Sequence, residues 1–336
     1  MITIRVLVAT IILTLSMCSH QVESQQSEVA KVPVVYSPDY KLSLFGLEKL
    51  HPFDIGKYDK IYEALENDGM LDAKRIHKPE KLDGAQLGLV HTEAYLDSLR
   101  DPRMVARYME APAIKMVPRM LLESKVVDPF ILCSGGTLLA ARLALKEGVA
   151  VNLGGGYHHA KPNSGEGFCI IADVPIAIRQ LQLEGKIKKA LIIDTDIHQG
   201  NGTIRCLWQD ESTFCFSMHE AGIYPLPKEK GDLDVELRAG IKDQEYLEIL
   251  QSHLAKLIQS SKPDIVFHVA GCDALLGDPL ANGAMSVKGV RSRDQMIVEA
   301  CRKHQVPYVM TLSGGYSKDA WRAQYLSVKA IMQKWM

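Results

Sequence analysis

The chain has 336 residues, of which 47% are hydrophobic and 24% are charged. These are values of globular proteins and leave ample material for a buried core, so we expect a folded chain. Lys and Arg number 39 and Asp and Glu number 40. The chain therefore has no net positive charge that would attract nucleic acid, and we expect no nucleic-acid partner.

The first 27 residues have the pattern of an export signal. Arg5 precedes the apolar stretch 6–15, and a polar stretch follows from Ser19 to Ser27. This order is typical of a signal peptide, and the apolar stretch is short for a membrane span. We therefore expect export to the periplasm or to a membrane surface, with a cytoplasmic location as the alternative. Cys18 is a candidate for lipid attachment to a membrane, although Met17 is larger than the residue expected before such a cysteine.

Residues 33–336 are predicted to form one domain. Short runs that are apolar throughout indicate strands buried on both faces, and the helical patterns between them supply right-handed crossovers. The sequence therefore predicts an α/β fold with a mainly parallel β-sheet flanked by helices. The predicted strands are 33–36, 149–153, 190–193, 213–216, 265–269 and 307–312, and the predicted helices include 136–147 and 243–260.

Polar or glycine-rich residues follow most of these strands. Open α/β sheets bind ligands outside the carboxyl ends of their strands. Because those ends meet at one edge of the sheet, we expect the residues that follow them to form the functional site. They are 154–159, 194–202, 217–219, 271–273 and 313–316.

Three of these residues form a candidate metal site. Asp196 and His198 lie two positions apart and share one face of an extended segment, and Asp273 follows another strand. Two carboxylates and one imidazole leave open positions on zinc, as a catalytic zinc site requires. Acidic runs also occur in calcium loops, helix caps and exposed turns, but the position after buried strands favours a metal. The sequence therefore predicts a zinc ion held by Asp196, His198 and Asp273.

Two histidines and a tyrosine are candidate catalytic residues. His158 and His159 follow three glycines that let the backbone approach a ligand closely, and imidazole is the usual general base and acid near neutral pH. Tyr316 follows two glycines and offers a phenol that can donate to an oxyanion. Taken alone, such histidines and tyrosines are often packing residues. Beside metal ligands, one histidine could activate a metal-bound water, and for an amide substrate Tyr316 could donate to the oxyanion.

These motifs together resemble the histone deacetylases of the arginase/deacetylase superfamily. The segments 46–54 and 198–202 are similar to the class IV branch in particular. The resemblance covers nearly all of the chain after the leader, in the segments 35–38, 46–54, 90–96, 154–159, 167–169, 194–202 and 313–316.

The resemblance implies further roles for individual residues. Asp194 is expected to hydrogen-bond His158 and to help bind a structural potassium ion, with the Ser217 hydroxyl and backbone carbonyls that include that of Met218. Gly167 and Phe168 are expected to line one wall of a channel for the acyl-lysine stem. The opposite wall stays open between Ile223 and Tyr224.

The predicted function is zinc-dependent removal of an acyl group from an acylated lysine. One alternative is a deacetylase of acetylpolyamines or other small acylated amines. Arginase-like chemistry needs two manganese ions, and the non-acidic Thr195 and Ile197 between the ligands argue against two metals. A second alternative is a module that binds acyl-lysine without turnover, which the intact histidines and Tyr316 disfavour.

Overall fold

The computed structural model describes residues 32–42, 46, 53–54 and 56–334. Within these residues, one sheet contains eight strands that pair in parallel throughout, which confirms the predicted α/β fold. The strands are β1 (Val34–Val35), β2 (Ile76–His77), β3 (Val149–Asn152), β4 (Ala190–Asp194), β5 (Thr213–Glu220), β6 (Leu233–Leu237), β7 (Ile265–Val269) and β8 (Tyr308–Thr311). Their order in the sheet is β2-β1-β3-β8-β7-β4-β5-β6.

Helices connect the strands and cover the sheet. Single turns of 3-10 helix lie at Pro38–Tyr40, Ala73–Arg75 and Pro112–Met116, and a π-helical turn at Glu123–Val127 leads into the longest helix. In the described residues, the α-helices are α1 (Lys57–Asn67), α2 (Gly84–Leu87), α3 (Glu93–Ser98), α4 (Pro102–Tyr108), α5 (Arg119–Leu122), α6 (Asp128–Glu147), α7 (Asp173–Leu183), α8 (Asn201–Cys206), α9 (Asp243–Ser261), α10 (Val287–Lys303) and α11 (Ala320–Lys334).

Two edge strands, β2 and β6, were not predicted. β2 has two residues and no apolar run. β6 reads Leu-Asp-Val-Glu-Leu and is largely half-exposed, as expected for an edge strand with one solvated face. The strands predicted from continuous apolar runs are present, because burial on both faces is what such runs indicate.

Helix α6 begins earlier than the predicted start at Gly136. Gly135 and Gly136 lie inside it, and an added Cβ on either residue would collide with Glu80 or Tyr40. The glycine pair therefore marks close packing inside the helix and not its start. The helical stretch Arg119–Glu147 is long and apolar enough to cross a membrane, but 67% of its apolar window is buried inside the protein, as in a core helix.

The carboxyl ends of β3, β4, β5, β7 and β8 bring the candidate residues to one edge of the sheet. β4 lies between β5 and β7, so Asp194 pairs with Ser217 on one side and with Val269 on the other. The loops that follow β4, β7 and β8 are therefore neighbours. The parallel sheet thus assembles the site from segments that are far apart in sequence.

Candidate active site

The three predicted metal ligands lie together. Asp196, His198 and Asp273 are buried, and one possible ligand atom from each lies within 4.8 Å of the others. His198 Nδ1 is 3.2 Å from Asp196 Oδ1 and 2.9 Å from Asp273 Oδ2. The structure therefore brings together the set that the sequence indicated, from the loops after β4 and β7.

Hydrogen bonds orient these three side chains toward a common point. His198 Nε2 lies 3.2 Å from the carbonyl oxygen of Leu280, to which it can donate. That bond leaves the Nδ1 lone pair facing the two carboxylates, as in metal sites where a backbone carbonyl holds the second ring nitrogen of a histidine ligand. Asp273 Oδ1 accepts from the amide of Ile197 at 2.8 Å, which fixes the carboxylate beside the imidazole.

The charges of this cluster fit a bound cation. Burial and the neighbouring Asp196 carboxylate raise the pKa of Asp273 to about 7. Two buried carboxylates this close repel each other, and a divalent ion between them would remove that repulsion. No side chain fills the space, since a Cβ added to Gly314 would stand 2.5 Å from Asp196 Oδ2 and 2.7 Å from Asp273 Oδ2. The residues present therefore fit a metal ion of the zinc type.

The backbone that leads to Tyr316 is tied to the same cluster. Asp196 Oδ2 accepts from the Ser313 hydroxyl at 3.0 Å and from the Gly314 amide at 2.9 Å. On the other side of this segment, the buried Lys57 ammonium donates to the carbonyls of Ser313 at 2.6 Å and Gly314 at 3.3 Å. These bonds hold the loop after β8 against the carboxylates.

His158 is paired with Asp194. Its Nδ1 lies 2.7 Å from Asp194 Oδ2, and both side chains are buried, in the arrangement that the resemblance implies. Burial opposes protonation of His158, but the Asp194 and Asp196 carboxylates outweigh it and raise the pKa of His158 to about 9. A divalent ion bound by Asp196 would cancel part of this negative charge and lower the pKa again.

His159 has a different partner, which sequence reasoning missed. Its Nδ1 lies 2.7 Å from Oδ1 of Asn201, the first residue of α8. Burial, and the neighbouring His158 and His198 rings, hold the pKa of His159 well below its usual range. The signal was the Gly-Asn-Gly sequence at 200–202, where an amide side chain starts a helix beside the site.

Tyr316 lies at the wall of a cavity that reaches these residues. The cavity encloses about 510 Å³ including its mouth, and its lining includes His159, Phe168, His198, Tyr224 and Tyr316. The Phe168 and Tyr316 rings meet edge to face with centroids 5.8 Å apart. Burial and the Asp196 and Asp273 carboxylates raise the pKa of Tyr316 well above its usual range, so its phenol keeps its proton.

Gly167 and Tyr224 complete the walls of this channel. Gly167 has a φ of 53°, and a Cβ there would stand 2.5 Å from His159 Cδ2 and 3.1 Å from Tyr224 Cε1. A side chain at position 167 would therefore collide with the His159 ring. Of the two candidates for the opposite wall, Tyr224 lines the cavity together with Phe168.

Two further buried polar residues support the site and were not predicted. Asp173 accepts from the amides of Gly156 and Tyr157, both at 2.8 Å, and so shapes the glycine turn before the histidines. Arg293 donates to the carbonyls of Thr195 at 3.0 Å and Gly271 at 2.7 Å, which ties the loops after β4 and β7 together. Both come from helices that carry no recognisable motif.

The potassium residues of the prediction lie in β4 and β5. Asp194 and Ser217 are register partners, and Ser217 and Met218 are buried. The Ser217 hydroxyl lies 2.9 Å from His219 Nδ1. Cys18, the leader and most of 46–54 fall outside the described residues, and the six cysteines within the described residues carry free thiols.

Comparison with known proteins finds relatives of this chain. A family model described as "Histone deacetylase domain" matches residues 51–332. Histone deacetylase 2 of Arabidopsis thaliana is 38% identical over 309 residues, which cover 91% of this chain and 80% of that protein. Acetoin utilization protein AcuC of Staphylococcus aureus is 30% identical over 281 residues, which cover 76% of this chain and 69% of that protein.

A solved structure has the same fold. The crystal structure of the HDA15 HD domain superposes with a TM-score of 0.73, covering 90% of each chain at 21% sequence identity. At this identity the likeness bears on the fold alone.

Proposed function

The chain belongs to the histone deacetylase family and is a hydrolytic deacetylase, and we propose that it uses zinc to hydrolyse the amide of an acyl-lysine side chain. The observation that carries the proposal is the buried Asp196, His198 and Asp273 cluster beside a channel lined by His159 and Tyr316. Bound by those three ligands, zinc would polarise the amide carbonyl and lower the pKa of the attacking water.

The two histidines have different roles. His159 has a depressed pKa and is neutral near pH 7, so its free nitrogen can accept a proton from the attacking water. His158 is oriented by Asp194, whose negative charge raises the pKa of its imidazole. The proton that His159 accepts is passed to the leaving amine as the C–N bond breaks. Environments that separate the pKa values of two like groups indicate separate roles for them.

Tyr316 donates to the oxyanion. Its phenol remains protonated because burial and two nearby carboxylates raise its pKa. A donor held at the channel wall stabilises charge as it develops, and loss of one such donor costs about 100-fold to 1,000-fold in rate. The Gly314-Gly315 segment before it allows the close approach of the backbone to the carboxylates.

The experiment measures hydrolysis of an acetyl-lysine amide by zinc-loaded wild type, His159→Ala and Tyr316→Phe. Each variant is expected to lose at least about 100-fold in kcat while its zinc content stays unchanged. His304→Ala, directly after α10, and Tyr62→Phe, in α1, are matched controls outside the site and should hydrolyse as the wild type does. Undiminished hydrolysis by both site variants would contradict the assigned roles.

A second substrate class is favoured by charge at the channel mouth. The exposed Glu110 lines the cavity. A carboxylate at a channel mouth attracts cationic ligands, so acetylated polyamines are the alternative substrate. A panel of acetyl-, octanoyl- and myristoyl-lysine peptides beside acetylpolyamines separates the classes by kcat/KM.

We also propose, from the sequence, that the enzyme is of the class IV branch. A structural potassium ion is proposed at Asp194, Ser217 and Met218. The leader is proposed to direct export, with Cys18 as a candidate membrane anchor. Register pairing of Asp194 with Ser217 supports a shared ion. Potassium is tested by the activity and melting temperature of the enzyme in potassium against tetramethylammonium salts. N-terminal sequencing and mass spectrometry of the mature chain test cleavage and lipidation.

A further inference from the structure

We propose that Glu166 is a positioning residue that sets the tautomer of His159 through the side-chain amide of Asn201. The inference rests on the proposed role of His159 as a general base. It concerns a half-buried carboxylate next to the channel residues Gly167 and Phe168, which belongs neither to the metal cluster nor to the His158 pair.

The three side chains form a continuous chain of hydrogen bonds. Asn201 Oδ1 lies 2.7 Å from His159 Nδ1, and Asn201 Nδ2 donates to Glu166 Oε1 at 2.5 Å. Asn201 is 2% exposed and His159 is 3% exposed, so water does not offer either group a ready substitute for its partner.

The Glu166 carboxylate fixes the direction in which these hydrogen bonds donate. A side-chain amide has an accepting oxygen and a donating nitrogen of nearly equal size, so either end of Asn201 fits beside His159. The Glu166 carboxylate accepts and does not donate, which requires the Asn201 nitrogen to face it. The Asn201 oxygen must then face His159, so Nδ1 carries the proton and Nε2 keeps the lone pair that a general base needs.

A reversed amide would disable the base. With its nitrogen toward His159, Asn201 would donate to Nδ1, and the proton of the neutral ring would move to Nε2. The ring would then have no free nitrogen on the side away from Asn201. His158 needs no such control, since Asp194 is itself a carboxylate and can only accept from Nδ1.

The fold holds Glu166 in place. Its backbone pairs with Cys169 through two hydrogen bonds of 3.2 Å and 2.9 Å, which close the turn that carries Gly167 and Phe168. The Lys161 ammonium lies 3.1 Å from the carboxylate. The same turn therefore forms a channel wall and presents the carboxylate that orients Asn201.

Two substitutions at position 166 separate this role from simple packing. Glu166→Gln keeps the shape but can donate or accept, so it releases the orientation of the amide. Glu166→Lys supplies only donors, so it favours the reversed amide. Asn201→Asp is combined with each, because a carboxylate at position 201 accepts from His159 whatever stands at position 166.

The tautomer is read directly by ¹⁵N NMR of histidine-labelled, zinc-loaded protein, with the His159 signals identified by their absence in His159→Ala. In the wild type we expect a protonated Nδ1 and an unprotonated Nε2. Glu166→Gln should give partial protonation of Nε2, and Glu166→Lys should give mainly Nε2–H. The combined variant Glu166→Lys with Asn201→Asp should return the proton to Nδ1.

Turnover should follow the tautomer. A wrong histidine tautomer in a hydrolase costs up to about 10⁴-fold in kcat, so we expect Glu166→Lys to lose at least about 100-fold with KM changed little. The combined variant should recover to within about tenfold of the wild type. Glu211→Gln, on the exposed turn before β5, is the matched control, and zinc content and melting temperature verify folding.

An unchanged Nδ1–H tautomer in both position-166 variants would overturn the proposal. So would a combined variant as slow as Glu166→Lys, because the loss would then come from charge or packing. The NMR result does not depend on the substrate. If the wild type hydrolyses none of the acyl amides, the proposed function fails while the tautomer assignment is still tested.

Discussion

The substitution Gly314→Ala tests whether the two carboxylates share one metal. The added Cβ would stand 2.5 Å from Asp196 Oδ2 and 2.7 Å from Asp273 Oδ2, whereas ordinary contact begins at 3.4 Å. Gly314 is not among the residues with positive φ, so alanine meets no backbone strain there. Both carboxylates must therefore retreat by several tenths of an ångström or more.

A displacement of this size is large for a metal site. Functional groups need placement within about 0.5 Å, and a misplacement of about 1 Å costs about 100-fold in rate. We expect Gly314→Ala to weaken zinc binding by at least about tenfold, about 1.4 kcal/mol, and to lower kcat/KM by about 100-fold.

Competition with a fluorescent zinc chelator measures the affinity, and hydrolysis of an acetyl-lysine amide measures the rate. Gly84→Ala is the matched control, because its Cβ meets nothing within 4 Å at the start of α2. If Gly314→Ala binds zinc as tightly as the control and turns over equally fast, the two carboxylates do not enclose the metal.

Three further predictions concern stability. Added zinc should raise the melting temperature of the wild type, since a ligand that binds only the folded state stabilises it, and Asp273→Asn should remove most of that rise in a thermal scan. Arg293→Leu should lower the free energy of unfolding by about 3–5 kcal/mol in urea titrations, because it leaves the buried Asp294 without its partner at 2.7 Å; a loss under about 1 kcal/mol would show that the pair is not needed. His91 is buried with a pKa lowered to about 4 by desolvation, and its Nε2 accepts from the Ala172 amide. The unfolded state therefore binds more protons between pH 6.5 and 4, so the free energy of unfolding should decrease as the pH is lowered across that window. The decrease should be less steep in His91→Gln, and equal slopes for the wild type and the variant would contradict the assignment.

The sequence determined the sheet and most of the residues of the site. Runs that are apolar throughout occur where both faces of a strand are covered, so the central strands were predictable, and ligands in parallel sheets lie beyond their carboxyl ends. This reasoning identified Asp196, His198 and Asp273 as a set, and the structure places their ligand atoms within 4.8 Å of one another.

The edge of the sheet and the supporting contacts were decided by the tertiary structure. Strand β6 has an alternating pattern with a solvated face, and α6 runs through a glycine pair that sequence reasoning took as its start. Lys57 and Arg293 become buried donors only because they meet carbonyls from loops far along the chain. Such pairings leave no local signal.

The two histidines also show which features the sequence determined and which the tertiary structure decided. The sequence supplied His158 and His159 as candidates and Asp194 as a partner for the first. Only the fold brings Asn201 to the second histidine and Glu166 to Asn201, because Asn201 starts α8 and is distant in sequence from His159 and Glu166, which lie between β3 and α7. Sequence spacing identifies groups that share one strand end, whereas the partner that orients each group depends on how separate segments pack.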